Sequence, residues 1–326
     1  REWIDRVKGT WWSDLDGQTG STGELNGTLF KGLYRITVTL NGISQEYIRD
    51  ITEDGTLTVQ MDDTPLDTSG SYLSNLSVRA PIRGGETLKL GFVVAGGAKD
   101  ILARVAGPAL AGFGLTDAME DPRFEVVQSE NVLVTNDDWD DAIAPTANAL
   151  GAFPFESGSK DAGVLVALQD PNTAEITGTG AGTVLGEIYD ASPGITGPRL
   201  TNVSALHFVG AGDDLLIAGF VVGGTGRGRV LIRGVGPELA ELGVTGTLAD
   251  PRIRVFDGNN QVVASNDDWD SGLTSIMAQL GAFQLTPGSK DAALVAVLNT
   301  GESYTVQLSG ADGGTGQGII EVYEYR

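Results

Sequence analysis

The pentapeptide Asn136-Asp137-Asp138-Trp139-Asp140 returns 130 positions later as Asn266-Asp267-Asp268-Trp269-Asp270, and it does not return alone. Gly91-Phe92-Val93-Val94 reappears as Gly219-Phe220-Val221-Val222, and Gly107-Pro108 as Gly236-Pro237. Asp121-Pro122-Arg123 reappears as Asp250-Pro251-Arg252, Gly151-Ala152-Phe153 as Gly281-Ala282-Phe283, and Gly158-Ser159-Lys160-Asp161-Ala162 as Gly288-Ser289-Lys290-Asp291-Ala292. One order and nearly one offset hold throughout, so the chain carries two copies of one unit. A unit this long is a domain and exceeds a solenoid repeat.

The boundaries follow. Residues 1–72 match neither copy and read as a small N-terminal β domain or assembly arm. Residues 73–191 are the first repeat and 200–326 the second. Residues 192–199 read as a linker, with two prolines and two glycines between Ser192 and Pro198.

Within the second copy, Leu215–Val222 and Arg229–Arg233 are short apolar runs around Gly223–Gly228, which predicts a hairpin with a glycine-rich tip. That stretch lacks the helix and the Gly-Lys-Ser/Thr ending of a phosphate loop. Gly236–Gly243 predicts one or two helical turns, with proline at the start and glycine at the stop. Ile253–Phe256 and Gln261–Ser265 flank Asp257-Gly258-Asn259-Asn260, a hairpin signal. Leu273, Ile276, Met277 and Leu280 fall on one helical face, capped by Asp270 or Ser271 and ended by Gly281. Ala292–Leu298, Tyr304–Leu308 and Ile319–Tyr325 complete the strands. In the first copy Pro145 should weaken the corresponding helix. The expected class is all-β: tandem antiparallel β-sandwich domains with short helices in loops.

In the N-terminal segment, Tyr34, Ile36, Val38 and Leu40 alternate with polar residues, Asn41-Gly42 is a turn signal, and Thr56–Met61 alternates again. Arg1–Lys8 reads as a short helix or docking arm. Trp3, Trp11 and Trp12 are candidate binding or interface aromatics, with packing of the small domain as the alternative.

Formal net charge is −22, which disfavours nucleic acid and anionic membrane surfaces. No apolar run reaches the ~20 residues needed to span a bilayer. The chain has no cysteine and one histidine, His207, which excludes disulfides, zinc–thiolate sites and cysteine nucleophiles. No Gly-x-Ser-x-Gly elbow accompanies His207, and nothing singles out a carboxylate pair for glycoside hydrolysis. The expectation is that the protein is not an enzyme.

Two readings compete for the recurrent acidic loops. Asn136, Asp137, Asp138 and Asp140, with Asn266, Asp267, Asp268 and Asp270, supply closely spaced oxygen donors that suit Ca²⁺. They lack the glycine and closing glutamate of an EF-hand. Alternatively these residues cap the next helix and shape the turn while Trp139 and Trp269 plug the core. Arg104 and Arg233 stand late in apolar strands and are expected in structural ion pairs, with one of the aspartates as partner. Lys160 and Lys290, each in Ser-Lys-Asp, are expected in solvated turns with local ion pairs.

The repeat resembles a module found in tandem at the C-terminal ends of large secreted bacterial surface proteins. The residues that carry the likeness are Arg233–Pro237, Leu248–Pro251, Ala264–Trp269, Ser289–Ala293 and Tyr304–Gly310. Asp250–Asp268 with Tyr304–Gly310 is also similar to the bacterial pre-peptidase C-terminal domain, a β-sandwich accessory module of secreted enzymes. The likeness covers both repeats and not residues 1–72. It implies export to the extracellular space or cell surface, and a first residue of Arg fits loss of a signal peptide or a fragment.

Three functions are therefore in view. The first is a structural subunit of a surface filament, sheath or appendage, self-associated into a homo-oligomer through β-rich contacts. The second is a module that binds polysaccharide or matrix. The third is a hydrolase with an unrecognised carboxylate pair, which has the least support.

Overall fold

A computed structural model describes residues 68–326 apart from residue 213, together with three N-terminal strands. Those strands, β1 (Glu2–Arg6), β2 (Gly32–Leu40) and β3 (Ile43–Ile51), form an antiparallel sheet in the order β1-β2-β3. The expected alternation around Tyr34–Leu40 is β2, which pairs with β3 from Gly32↔Ile51 to Leu40↔Ile43. Arg1–Lys8 supplies a strand rather than a helix, with Trp3 opposite Thr37. Trp11, Trp12 and the Thr56–Met61 alternation lie outside the described residues.

The rest is all-β, with few short helices. The first repeat contributes β4 (Ser71–Ile82), β5 (Leu88–Ala106), β6 (Pro122–Gln128), β7 (Asn131–Asn136), β8 (Ala162–Gly178) and β9 (Gly182–Asp190). The second contributes β10 (Arg199–Val209), β11 (Leu216–Gly224), β12 (Arg227–Val235), β13 (Pro251–Phe256), β14 (Val262–Asn266), β15 (Ala292–Asn299), β16 (Glu302–Gly310) and β17 (Gly316–Glu324). Every ladder is antiparallel.

The long strands β5 and β8 each change layers at a bend. Their ladder jumps from Val94 to Lys99, so Leu88–Val94 pairs in one layer and Lys99–Val105 in the other. In the second repeat the same path is cut into β11 and β12, and into β15 and β16. Gly223–Gly228 is therefore not a hairpin tip. β11 pairs with β4 and β16, whereas β12 pairs with β15 and β17. Apolar alternation gives a strand and its buried face but not its layer, which is why the two runs read as hairpin partners.

Once the bends are followed, the fourteen strands lie in two layers. One runs β15-β12-β17-β10, then the first half of β5, the second half of β8, β6 and β7. The other runs β14-β13-β16-β11-β4-β9, then the second half of β5 and the first half of β8. Each layer is half first repeat and half second. The joins are reciprocal: β10 pairs with β5 (Leu206↔Lys89 to Arg199↔Ala95), and β4 pairs with β11 (Arg79↔Ile217 to Ser71↔Gly224). One apolar cluster extends from Leu73 through Phe92, Phe124 and Phe220 to Val322, so both repeats share a core.

The segment between the repeats is pinned. Buried Lys99 donates to the carbonyls of Ser192 (2.7 Å) and Pro198 (2.8 Å) and pairs with buried Asp190 at 3.1 Å. The helical turns form where expected. Pro237–Glu241 is α-helical and its counterpart Pro108–Phe113 is a 3₁₀ turn. Thr274–Gln279 follows a 3₁₀ turn, Ser271–Leu273, capped by Asp270, and Gly281 follows with φ +71°. Pro145 does not shorten the matching helix, Ala144–Ala149, because it sits in the first turn where no amide partner is lost.

Candidate functional site

The recurrent polar motif builds one corner twice. In the second repeat, Asn266 ends β14 and its Oδ1 accepts from Ala293 N at 2.8 Å, while Nδ2 donates to the Asp268 carbonyl at 2.8 Å. Asp268 accepts from Lys290 Nζ at 3.0 and 3.1 Å. Asp270 accepts from Gly272 N and caps the 3₁₀ turn. Asp267 pairs with Arg252 at 2.9 Å. Trp269 is buried; its amide donates to the Asp291 carbonyl and its Nε1 to Ser289 Oγ at 3.1 Å.

The first repeat repeats these bonds nearly atom for atom. Asn136 Oδ1 accepts from Gly163 N (2.7 Å) and its Nδ2 donates to the Asp138 carbonyl (2.9 Å). Asp138 accepts twice from Lys160 at 2.9 Å, Asp140 accepts from Ala142 N, and Trp139 Nε1 donates to Ser159 Oγ at 3.1 Å. Asp137 is exposed, and Arg123 donates to Thr177 instead. Lys160 and Lys290 stay in solvent, their pKa values raised by the hydrogen bond and charge of Asp138 and Asp268.

At the centre of each corner is a residue that the sequence reading passed over. Asp161 and Asp291 are fully buried. Asp291 Oδ1 accepts from the amides of Gly236 (2.9 Å) and Glu238 (3.3 Å), and Oδ2 from Ser289 Oγ (2.7 Å). Asp161 does the same with Gly107 (2.7 Å), Ala109 (3.1 Å) and Ser159 (2.7 Å). The carboxylate thus ties the first helical turn to the Ser-Lys-Asp turn. Gly107 and Gly236 let the chain before each turn pass close to the segment at Met119 or Leu248, where a Cβ on either would collide with the carbonyl of Met119 or Leu248. The joint recurrence of Gly-Pro and Ser-Lys-Asp is the sequence signal for this tie.

Arg104 and Arg233 are buried and their partners are glutamates on the last strand, not aspartates of the loops. Arg233 donates through Nε to Glu321 at 2.8 Å and again through Nη2. Its guanidinium lies 4.0 Å from the Phe283 ring centre and also donates to the Phe283 carbonyl. Arg104 sits 3.9 Å from the Phe155 ring centre and donates to the Phe153 carbonyl at 2.8 Å, but its Nε is 3.7 Å from Glu187. Cross-strand register decides these partners, with Arg104 opposite Glu187 and Arg233 opposite Glu321. Tyr189 and Tyr323 donate to the two glutamates at 2.7 and 2.8 Å, and burial raises both phenol pKa values. His207 is buried in β10, with Nε2 2.8 Å from the Pro81 carbonyl.

Chemically, most of these groups are committed to the fold. Among the described residues, no three carboxylate or imidazole side chains converge as a metal-binding group. The loop residues point to separate partners: a lysine, a helix cap and a strand amide. Among the described residues, no helix is long and apolar enough to cross a membrane. In comparisons with known proteins, no family model matches the chain and no curated protein matches it.

Proposed function

We propose that this is a non-catalytic extracellular structural protein, a subunit that self-associates into a surface filament, sheath or appendage. The observation that carries the reading is the duplicated corner. The same buried aspartate, capped turn, tryptophan and Asp–Lys pair occur in both repeats, engaged with equivalent partners. A catalytic site needs reactive groups held open towards a substrate, whereas these hold strand ends and turns together. The continuous two-layer sheet fits a load-bearing module, and the resemblance to modules of secreted bacterial surface proteins supports export. Analytical ultracentrifugation and negative-stain microscopy at neutral pH test this directly. Elongated assemblies that grow with concentration are expected. A sharp monomer over a hundredfold concentration range contradicts the proposal.

A second reading, binding of polysaccharide or matrix, has one feature in its favour. A shallow recess of about 550 Å³ lies between the β6–β7 turn and the β8 bend, lined by Gln128, Ser129, Asn131, Asp170 and Asn172 among others. Retention of the protein on insoluble polysaccharide, lost on Gln128→Ala with Asn131→Ala, distinguishes it from the first.

A further inference from the structure

The two ends of the sandwich are built from equivalent strands but are not equally covered. At the second-repeat end the layers stop at β14 and β15, and β3 of the N-terminal sheet lies against both. At the first-repeat end the layers stop at β7 and the first half of β8, the counterparts of β14 and β15. Val132 is 51 % exposed and Leu133 46 %, whereas their equivalents Val262 and Val263 are half-buried. Leu165 is 38 % exposed, whereas its equivalent Val295 is 2 % exposed and packs in the second repeat's own cluster with Trp269, Leu273 and Met277. Val164 and Val166 are half-buried, while the matching Leu294 and Ala296 are buried.

The sequence at the open end is as apolar as at the covered one. Natural edge strands are normally blunted by charge, proline or a covering element, yet β7 reads Asn-Val-Leu-Val-Thr-Asn. Among the described residues β7 is hydrogen-bonded on one side only, to β6. Among the described residues the N-terminal sheet has a matching edge. It touches its own second repeat through β3, and β1, at the opposite edge, is paired among the described residues only with β2. The two edges are of similar length, five residues in β1 and six in β7.

We infer that the first-repeat end, centred on Val132, Leu133 and Leu165, is the docking surface for the N-terminal sheet of a second copy of this chain, entered by its β1 edge. The inference rests on the self-association reading and specifies its contact. In this geometry the N-terminal sheet lies between its own second repeat and the next copy's first repeat. The contact joins unlike surfaces, so it repeats head to tail and does not close into a pair. One chain then carries both halves of the joint, and the capped end and the open end are the two poles of a filament subunit.

The test uses the full-length chain. Leu133→Lys with Leu165→Lys places charges on the open end at exposed positions. Leu242→Lys, at another exposed leucine outside this end, is the control. Thermal melts identify any variant that fails to fold, and Val132→Lys then takes the place of a misfolded member. The expected result is that the double variant needs at least tenfold more protein to assemble, while Leu242→Lys assembles as the parent does. Because the chain has no cysteine, single substitutions can then map the contact. Leu133→Cys protein is mixed with Trp3→Cys or Ile4→Cys protein, neighbouring positions that sample both faces of β1. A mixed disulfide with one of the two is expected. If the parent assembles and the double variant assembles equally well, or if Leu133→Cys links only to itself, the docking surface is wrong while the structural reading stands. If the parent never assembles, both fall.

Discussion

Glu187 and Glu321 occupy equivalent places in the last strands of their repeats, yet their carboxylates are held differently. Glu321 takes two hydrogen bonds from Arg233, whereas the Arg104 guanidinium stands 3.7 Å from Glu187 and leaves Arg104 Nε and Glu187 Oε2 buried without a hydrogen bond. Burial accordingly raises the Glu187 pKa, opposed by the charge of Arg104 and by hydrogen bonds from Tyr189 and Ser77. Between the ordinary glutamate range and this raised value, the folded chain holds a proton that the unfolded chain has released. The Glu187 contribution to stability is therefore complete below the ordinary range and is lost as pH rises through the raised value. Glu187→Gln keeps the shape and removes the titration. Denaturant melts from about pH 5 to about pH 8 should show the parent losing stability relative to Glu187→Gln, and parallel curves would refute the assignment. That an arginine would be buried and paired was legible from its place in an apolar run. Its partner was not, because the partner depends on which residue of β9 or β17 stands opposite in the ladder.

At the scale of elements, the corners join strand, turn and short helix, and their chemistry bears on calcium. Closely spaced Asn and Asp residues suit Ca²⁺ in sequence, but the fold turns them outward to different anchors. Asp138 and Asp268 are occupied by lysines, Asp140 and Asp270 cap helical turns, and Asn136 and Asn266 bind strand amides. A cation would have to compete with all of these, so exhaustive chelation should leave the melting temperature unchanged. A fall of several degrees that calcium alone restores would show a preferential site in the folded state. The helical turns were readable because caps, proline placement and the Leu273/Ile276/Met277/Leu280 spacing are local signals. The β11–β12 link was not, because pairing across a sheet is long-range. The same Gly-rich punctuation serves a hairpin or a crossing between layers.

For the whole molecule, self-similarity showed the duplication but not how the copies combine. Two repeats joined by a Pro/Gly segment read as tandem sandwich domains, with residues 192–199 as the linker. In the fold, each repeat's first strand pairs on one side within its own repeat, β4 with β9 and β10 with β17, and on the other side with the other repeat, β4 with β11 and β10 with β5, over one shared core. No local pattern specifies those joins, because the strands' apolar faces would be buried equally well in two closed sandwiches. The joins have a thermodynamic consequence. Neither half can unfold without exposing the ladder and core of the other, so residues 68–326 should melt as one unit.

Differential scanning calorimetry of Asp291→Leu beside the parent tests this most directly. The substitution strands the Gly236 and Glu238 amides in the second repeat alone and should cost about 3 kcal/mol. The expected trace is one cooperative transition for the sandwich, moved as a whole to lower temperature. A first-repeat transition that stays in place while a second one shifts would contradict a shared fold.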